Sequence, residues 1–185
     1  MYKPPYWFYK NIKFPESEIQ HVIKKLNGMS KHESSLATLG FDSPDGFRFD
    51  KCITSFFLEE QERPDKIWRH RYSQIHEQLL RQIGIYTTCR YEFYYWSQLY
   101  NKGNSHCPHH HFGDGSMISW VHFVRSSFKA FRFTDKDRNY FIPPEQEEGD
   151  IICFPSYLWH QAMPSCTDKQ RFIVAGNIKI TQLDL

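Results

Sequence analysis

Pro108-His109-His110-His111 sets three imidazoles in a row, a few residues after a Tyr100-Asn101-Lys102-Gly103 turn. Side chains in a strand alternate between faces, so His109 and His111 are expected to point one way and His110 the other. A neutral imidazole is the commonest metal ligand, and an H-x-H pair can fill two adjacent coordination positions from one strand. A third ligand must then come from a distant stretch. The best placed candidate is His160 in Trp159-His160, about fifty residues on, with Arg171 beyond it.

Downstream of residue 86 the hydrophobic pattern is that of strands. Arg90 to Tyr100 is rich in aromatics, Met117 to Val124 is apolar, Phe128 to Phe133 alternates, Asp150 to Phe154 is short and apolar, and Arg171 to Ile180 is long. Upstream, a strand-like lead (Tyr6 to Phe14) precedes a helix. Pro15-Glu16-Ser17-Glu18 opens that helix with carboxylates, Ile19, Val22, Ile23 and Leu26 form its apolar stripe, and Asn27-Gly28 ends it. Residues 29 to 50 read as loops and short edges, and Ile53 to Leu58 as a short strand. A second helix is predicted over about Pro64 to Ile83, with Trp68, Tyr72, Ile75, Leu79 and Ile83 on its apolar face and Gly84 as its stop. On this pattern His70 and His76 fall on the helix surface. The expected architecture is mainly β with flanking helices. A single unit over residues 1–185 has helical support to about residue 85 and a jelly-roll core over about 86–182.

Composition narrows the function. Aromatic residues make up 17% of the 185 residues, which favours strands. A formal net charge of +2 argues against nucleic acid or an anionic membrane as partner. The five cysteines (Cys52, Cys89, Cys107, Cys153 and Cys166) are odd in number and show no CxxC spacing. With no secretion signal and no membrane-length apolar run, they read as reduced thiols in a cytoplasmic protein.

Tyr100-x-x-Gly103-x-x-x-x-Pro108-His109-x-His111 resembles the entry motif of the 2-oxoglutarate- and Fe(II)-dependent dioxygenases, in the branch close to prolyl 4-hydroxylases. Gly149-Asp150-Ile151-Ile152-Cys153-Phe154-Pro155-Ser156-Tyr157-Leu158-Trp159-His160 is similar to that family's second half, and Arg171 follows eleven residues after His160. The resemblance covers roughly residues 90 to 180. It implies a double-stranded β-helix of the cupin-like kind and hydroxylation of a substrate coupled to conversion of 2-oxoglutarate to succinate. It further implies Fe(II) on His109, His111 and His160, and an arginine, Arg171, on the distal carboxylate of 2-oxoglutarate. That carboxylate suits a planar, permanently charged fork. Tyr100 adds a hydroxyl by the same analogy, and Asn177 shares strand parity with Arg171.

The chain departs from the family pattern at two places. His111 stands where most members carry Asp or Glu, which leaves Asp114, three residues on, as the carboxylate fallback. Ile173 stands two after the arginine, where many members place a small hydroxyl residue. His106, His110 and His122 read as supporting or surface residues, and Tyr94, Trp96, Trp120 and Trp159 as candidates to line the mouth. Co-substrate and O2 are the implied small-molecule partners. The prime substrate is open between a protein or peptide side chain and a small metabolite. The same glycine and histidine spacings also resemble the two cupin motifs, whose three-histidine enzymes need no 2-oxoglutarate. A non-catalytic sensor or scaffold on the same barrel is the alternative of another class.

Overall fold

A computed structural model of the chain describes residues 2–29, 52–85, 89–137 and 139–183, with Asp114 described by its backbone alone. The loops expected over residues 29 to 50 therefore lie almost wholly outside the described residues. Strands are β1 (Trp7–Tyr9), β2 (Ile53–Thr54), β3 (Cys89–Tyr100), β4 (His106–His109), β5 (Ile118–Arg125), β6 (Phe131–Thr134), β7 (Tyr140–Phe141), β8 (Ile151–Pro155), β9 (His160–Ala162) and β10 (Arg171–Leu183). Helices are α1 (Glu16–Asn27) and α2 (Arg69–Gln82).

All described strand pairs are antiparallel. A six-stranded sheet runs β1-β8-β5-β10-β3-β2, and a four-stranded sheet runs β4-β9-β6-β7. Strand parity decides what each face of the large sheet meets. On β10, Ile173 and Ala175 join Trp96, Tyr100, Val121, Phe123, Ile152 and Phe154 in one core, with Phe131 and Phe133 of the small sheet. The intervening Phe172, Val174 and Ile178 face a second core, made with Ile19, Val22 and Leu26 of α1 and Tyr72, Leu79 and Leu80 of α2. Both faces are thus covered, and β5 is buried from Ile118 through Val124 instead of alternating with solvent. The result is a jelly roll with helices against its outer face, as its sequence pattern implies.

The helices are clamped to each other by one carboxylate. Glu18 of α1 accepts hydrogen bonds from Trp68 Nε1 at 2.8 Å and from Arg71 Nη1 at 2.6 Å. The helix expected from Pro64 to Ile83 divides here, with a 3-10 segment over Pro64–Trp68 before α2 begins. The predicted strand leads are also longer than the strands that form. Only Trp7–Tyr9 and Ile53–Thr54 find partners, on β8 and β3 respectively. His76 corrects the sequence reading: it is buried, 1% exposed, because the buried stripe of α2 is wide enough to take in Tyr72, His76 and Leu80 four residues apart. His70 is exposed, as expected.

Candidate metal centre

Gly103, at φ +78°, turns β3 back toward β4, and its N–H bonds to Ser165 O at 2.8 Å. β4 then pairs with β9 so that His109 and His160 are direct cross-strand partners. Residues opposite each other in an antiparallel pair share a face, which brings these two rings to 4.2 Å between centroids. His111 arrives differently from the strand-alternation expectation, because β4 ends at His109. Its backbone N–H is pinned to Ser156 O at 2.9 Å, and a 3-10 turn over Phe112–Asp114 follows. The turn still delivers the ring, 5.0 Å from His109 and 5.3 Å from His160. One nitrogen from each of the three imidazoles lies within 4.8 Å of the others.

Backbone carbonyls fix the tautomers of His109 and His160. His109 Nδ1 lies 2.8 Å from Cys107 O, and His160 Nδ1 lies 2.9 Å from Leu158 O. A carbonyl can only accept, so each Nδ1 carries the proton and each Nε2 keeps its lone pair. Burial, reinforced by the facing His109 and His111, holds His160 well below the ordinary histidine pKa. Convergent, pre-oriented imidazoles, one buried and two half-buried, are a donor set that a divalent transition metal can use, and three on one side leave the opposite positions open. Asp114 belongs to the turn by its backbone, and its side chain lies outside what is described.

Arg171 heads β10 opposite Tyr100 on β3. It is 2% exposed, its guanidinium lies 4.0 Å from the Tyr100 ring centroid, and its Nε and Nη2 meet no acceptor among the described residues. Burial lowers its pKa, against which the Tyr100 hydroxyl acts. Unpaired donors on a buried cation are costly, and they mark a place for an anion. Asn177 shares the inward face with Arg171 but has committed its amide. It accepts from Ser119 Oγ at 2.7 Å and donates to Tyr94 Oη at 2.9 Å, and Ser119 also reaches Ser156 at 3.0 Å.

A cavity at the triad is lined by His109, His111 and His160 together with Trp96, Gln98, Tyr100, His106 and Trp120, among others, and Arg171 and Asn177 are not among its lining residues. Of the other mouth candidates, Trp159 is 45% exposed and packs on His110, and Tyr94 serves the Asn177 network. His106 lies against the site with its ring stacked on His109 at 4.2 Å. His122 is neither at the surface nor near the triad: it is fully buried on the helix side, bonded to Tyr72 Oη and Ile12 O, each at 2.8 Å. Sequence reading missed Gln98 and the serines at 119 and 156. Gln98 could have been found as a polar residue two before Tyr100, on the same strand face.

No protein-family model matches the sequence, and no curated protein matches it in a sequence comparison. Solved structures do resemble it. A prolyl-4-hydroxylase from Pseudomonas putida aligns with a TM-score of 0.64 and 14% identity, over 94% of this chain and 91% of its own. A prolyl hydroxylase from Trichoplax adhaerens, solved in complex with a peptide fragment of a hypoxia inducible factor, gives 0.61 and 13% over 97% and 83%. A non-heme alpha-ketoglutarate-dependent epimerase, SnoN, from nogalamycin biosynthesis gives 0.61 and 11% over 94% and 76%. At identities this low the likeness establishes a shared fold, and the chemistry has to be argued from the residues.

Proposed function

We propose that the protein is an Fe(II)- and 2-oxoglutarate-dependent dioxygenase that hydroxylates a substrate with release of succinate and CO2. One observation carries this reading: three convergent imidazoles, His160 buried and His109 and His111 half-buried, and a buried arginine with two donors that meet no acceptor among the described residues belong to one jelly roll. His109, His111 and His160 hold the iron through Nε2 at His109 and His160 and a ring nitrogen of His111. Arg171 pairs with the distal carboxylate of 2-oxoglutarate, and Tyr100 packs against the guanidinium and keeps it dry. Asn177 positions the far end of the same strand face through Ser119 and Tyr94. When bound, iron and 2-oxoglutarate supply the oxidising chemistry, and the protein contributes binding, orientation and exclusion of water. A peptide or protein side chain is the favoured substrate class, in keeping with the peptide held by the Trichoplax structure, and a small metabolite is the other.

Among the described side chains no carboxylate joins the triad, and this favours a second reading, a cupin-type three-histidine enzyme that does not use 2-oxoglutarate. The two part on a simple incubation with Fe(II), 2-oxoglutarate and air, without prime substrate. Slow, iron-dependent succinate formation is the expected result. Purified protein that stays iron-loaded yet forms no succinate above an Arg171→Ala control would leave the cupin or non-catalytic readings standing.

A further inference from the structure

The turn that follows β2 carries two phenylalanines in the open. Phe57 is 50% exposed and Phe56 37%, their rings edge to face at 5.2 Å. Large apolar rings left in water are costly, yet a buried polar network holds this pair in place. Ser55, fully buried, exchanges backbone and side-chain hydrogen bonds with Ser97 of β3 and donates its hydroxyl to the buried Asp65 carboxylate at 2.8 Å. Thr54 Oγ1 accepts from Phe56 N, and Arg63 donates to the carbonyls of Phe56 and Leu58 in the turn and of Tyr95 on β3. Bonds of this kind rigidify what they hold. Here they hold an apolar pair facing solvent, which makes the exposed rings a pre-organised surface.

Phe56 also packs edge-on against Trp96 at 5.0 Å, and Trp96 lies 6.0 Å from the His111 ring and lines the cavity at the triad. The exposed surface is thus continuous with the wall of the metal centre. Directly after it come Glu59, Glu60 and Glu62, all exposed, the last two in a 3-10 turn over Glu60–Glu62. The cations close by are committed elsewhere: Arg63 to its three carbonyls, Lys66 to Gln61 O and Arg69 to Glu60. Glu59 and Glu62 have no ion pair among the described residues.

We infer that this surface docks a peptide segment of the prime substrate. An apolar side chain seats on Phe56 and Phe57, a neighbouring Lys or Arg meets Glu59 or Glu62, and a residue beside that anchor reaches the cavity past Trp96. Aromatic anchors carry most of the energy of such contacts, and the charges select the partner. This rests on the dioxygenase reading for what becomes of the segment, and on the surface alone for its capture.

The test selects a random peptide library on the full chain loaded with Mn(II) and 2-oxoglutarate, and measures the enriched peptides by fluorescence anisotropy. Wild-type protein is expected to enrich peptides with an aromatic or large aliphatic residue close to a Lys or Arg. Phe57→Ser, at a half-exposed position, should weaken their binding about ten- to thirtyfold. Glu59→Lys combined with Glu62→Lys should turn the selected charge from basic to acidic, a reversal that a misfolded surface would not produce. In the bound peptide, Mn(II) should broaden the proton signals of residues next to the apolar anchor. No enrichment by wild type, equal binding by Phe57→Ser, a basic preference that survives the charge reversal, or no broadening would each overturn the proposal. So would a dimer of the chain that Phe57→Ser dissociates, because a second copy would then be the occupant. Protein that selects such peptides but forms no succinate with Fe(II) keeps the docking surface and loses the dioxygenase reading. Protein that forms succinate and selects none keeps that reading and loses the surface.

Discussion

At the scale of single residues, His111 is the position on which the metal chemistry turns. It lies past the end of β4, and its ring reaches the cluster because its N–H is tied to Ser156 O. Replacing His111 with Ala is expected to lose most bound Fe(II) or Mn(II), while Asp114→Ala keeps it; metal content of the two variants purified side by side checks this. The opposite pattern would mean that the turn folds back to give a two-histidine, one-carboxylate centre. If Arg171 pairs with 2-oxoglutarate as proposed, Arg171→Ala should weaken 2-oxoglutarate binding by tens to hundreds of fold with metal content near normal. Gly176 gives a purely structural prediction. A Cβ there would stand 2.6 Å from the Trp120 side chain and 2.6 Å from Tyr94 O, so Gly176→Ala must displace the tryptophan that floors the cavity. A loss of about 1–3 kcal/mol in chemical denaturation is expected.

At the scale of elements, the long strands of the large sheet were legible because their residues alternate or are uniformly apolar, whereas the short β4 and β9 that carry His109 and His160 were not. β3, β5, β8 and β10 follow the pattern within a few residues. What was not legible depended on partners far away in sequence. Nothing local says that α2 begins only at Arg69 or that His76 is covered by Phe93 and Trp120. The cross-strand register that sets His109 against His160 is likewise a property of two strands, and the sequence offers only their spacing. The clamp between α1 and α2 is of the same kind. Glu18→Ala should leave the buried Trp68 indole N–H without its acceptor and release Arg71, lowering stability by about 1–2 kcal/mol, with Glu18→Gln recovering part of it.

At the scale of the whole molecule, two histidines on the helix side of the large sheet tie folding to pH. Burial lowers the pKa of His76 to about 3 and that of His122 to about 4. Both stay neutral in the fold, while the unfolded chain takes up protons from about pH 6.5. Stability is therefore full above pH 6.5 and is lost as pH falls toward these folded values, at about 2 kcal/mol for each residue between pH 7.5 and 5. His76→Phe should flatten that dependence of the denaturation midpoint; an unchanged slope would show that His76 is not held neutral. The jelly roll itself is common to proteins of differing chemistry, the epimerase among them, so the fold alone does not decide what happens inside it. In the proposed function the triad and the buried arginine decide it by acting on one ligand. The direct measurement is an anaerobic titration of Fe(II)-loaded protein with 2-oxoglutarate, followed by visible absorption. A weak charge-transfer band that saturates with 2-oxoglutarate and is displaced to much higher concentration in Arg171→Ala is the predicted result; protein that holds its iron but develops no band would contradict it.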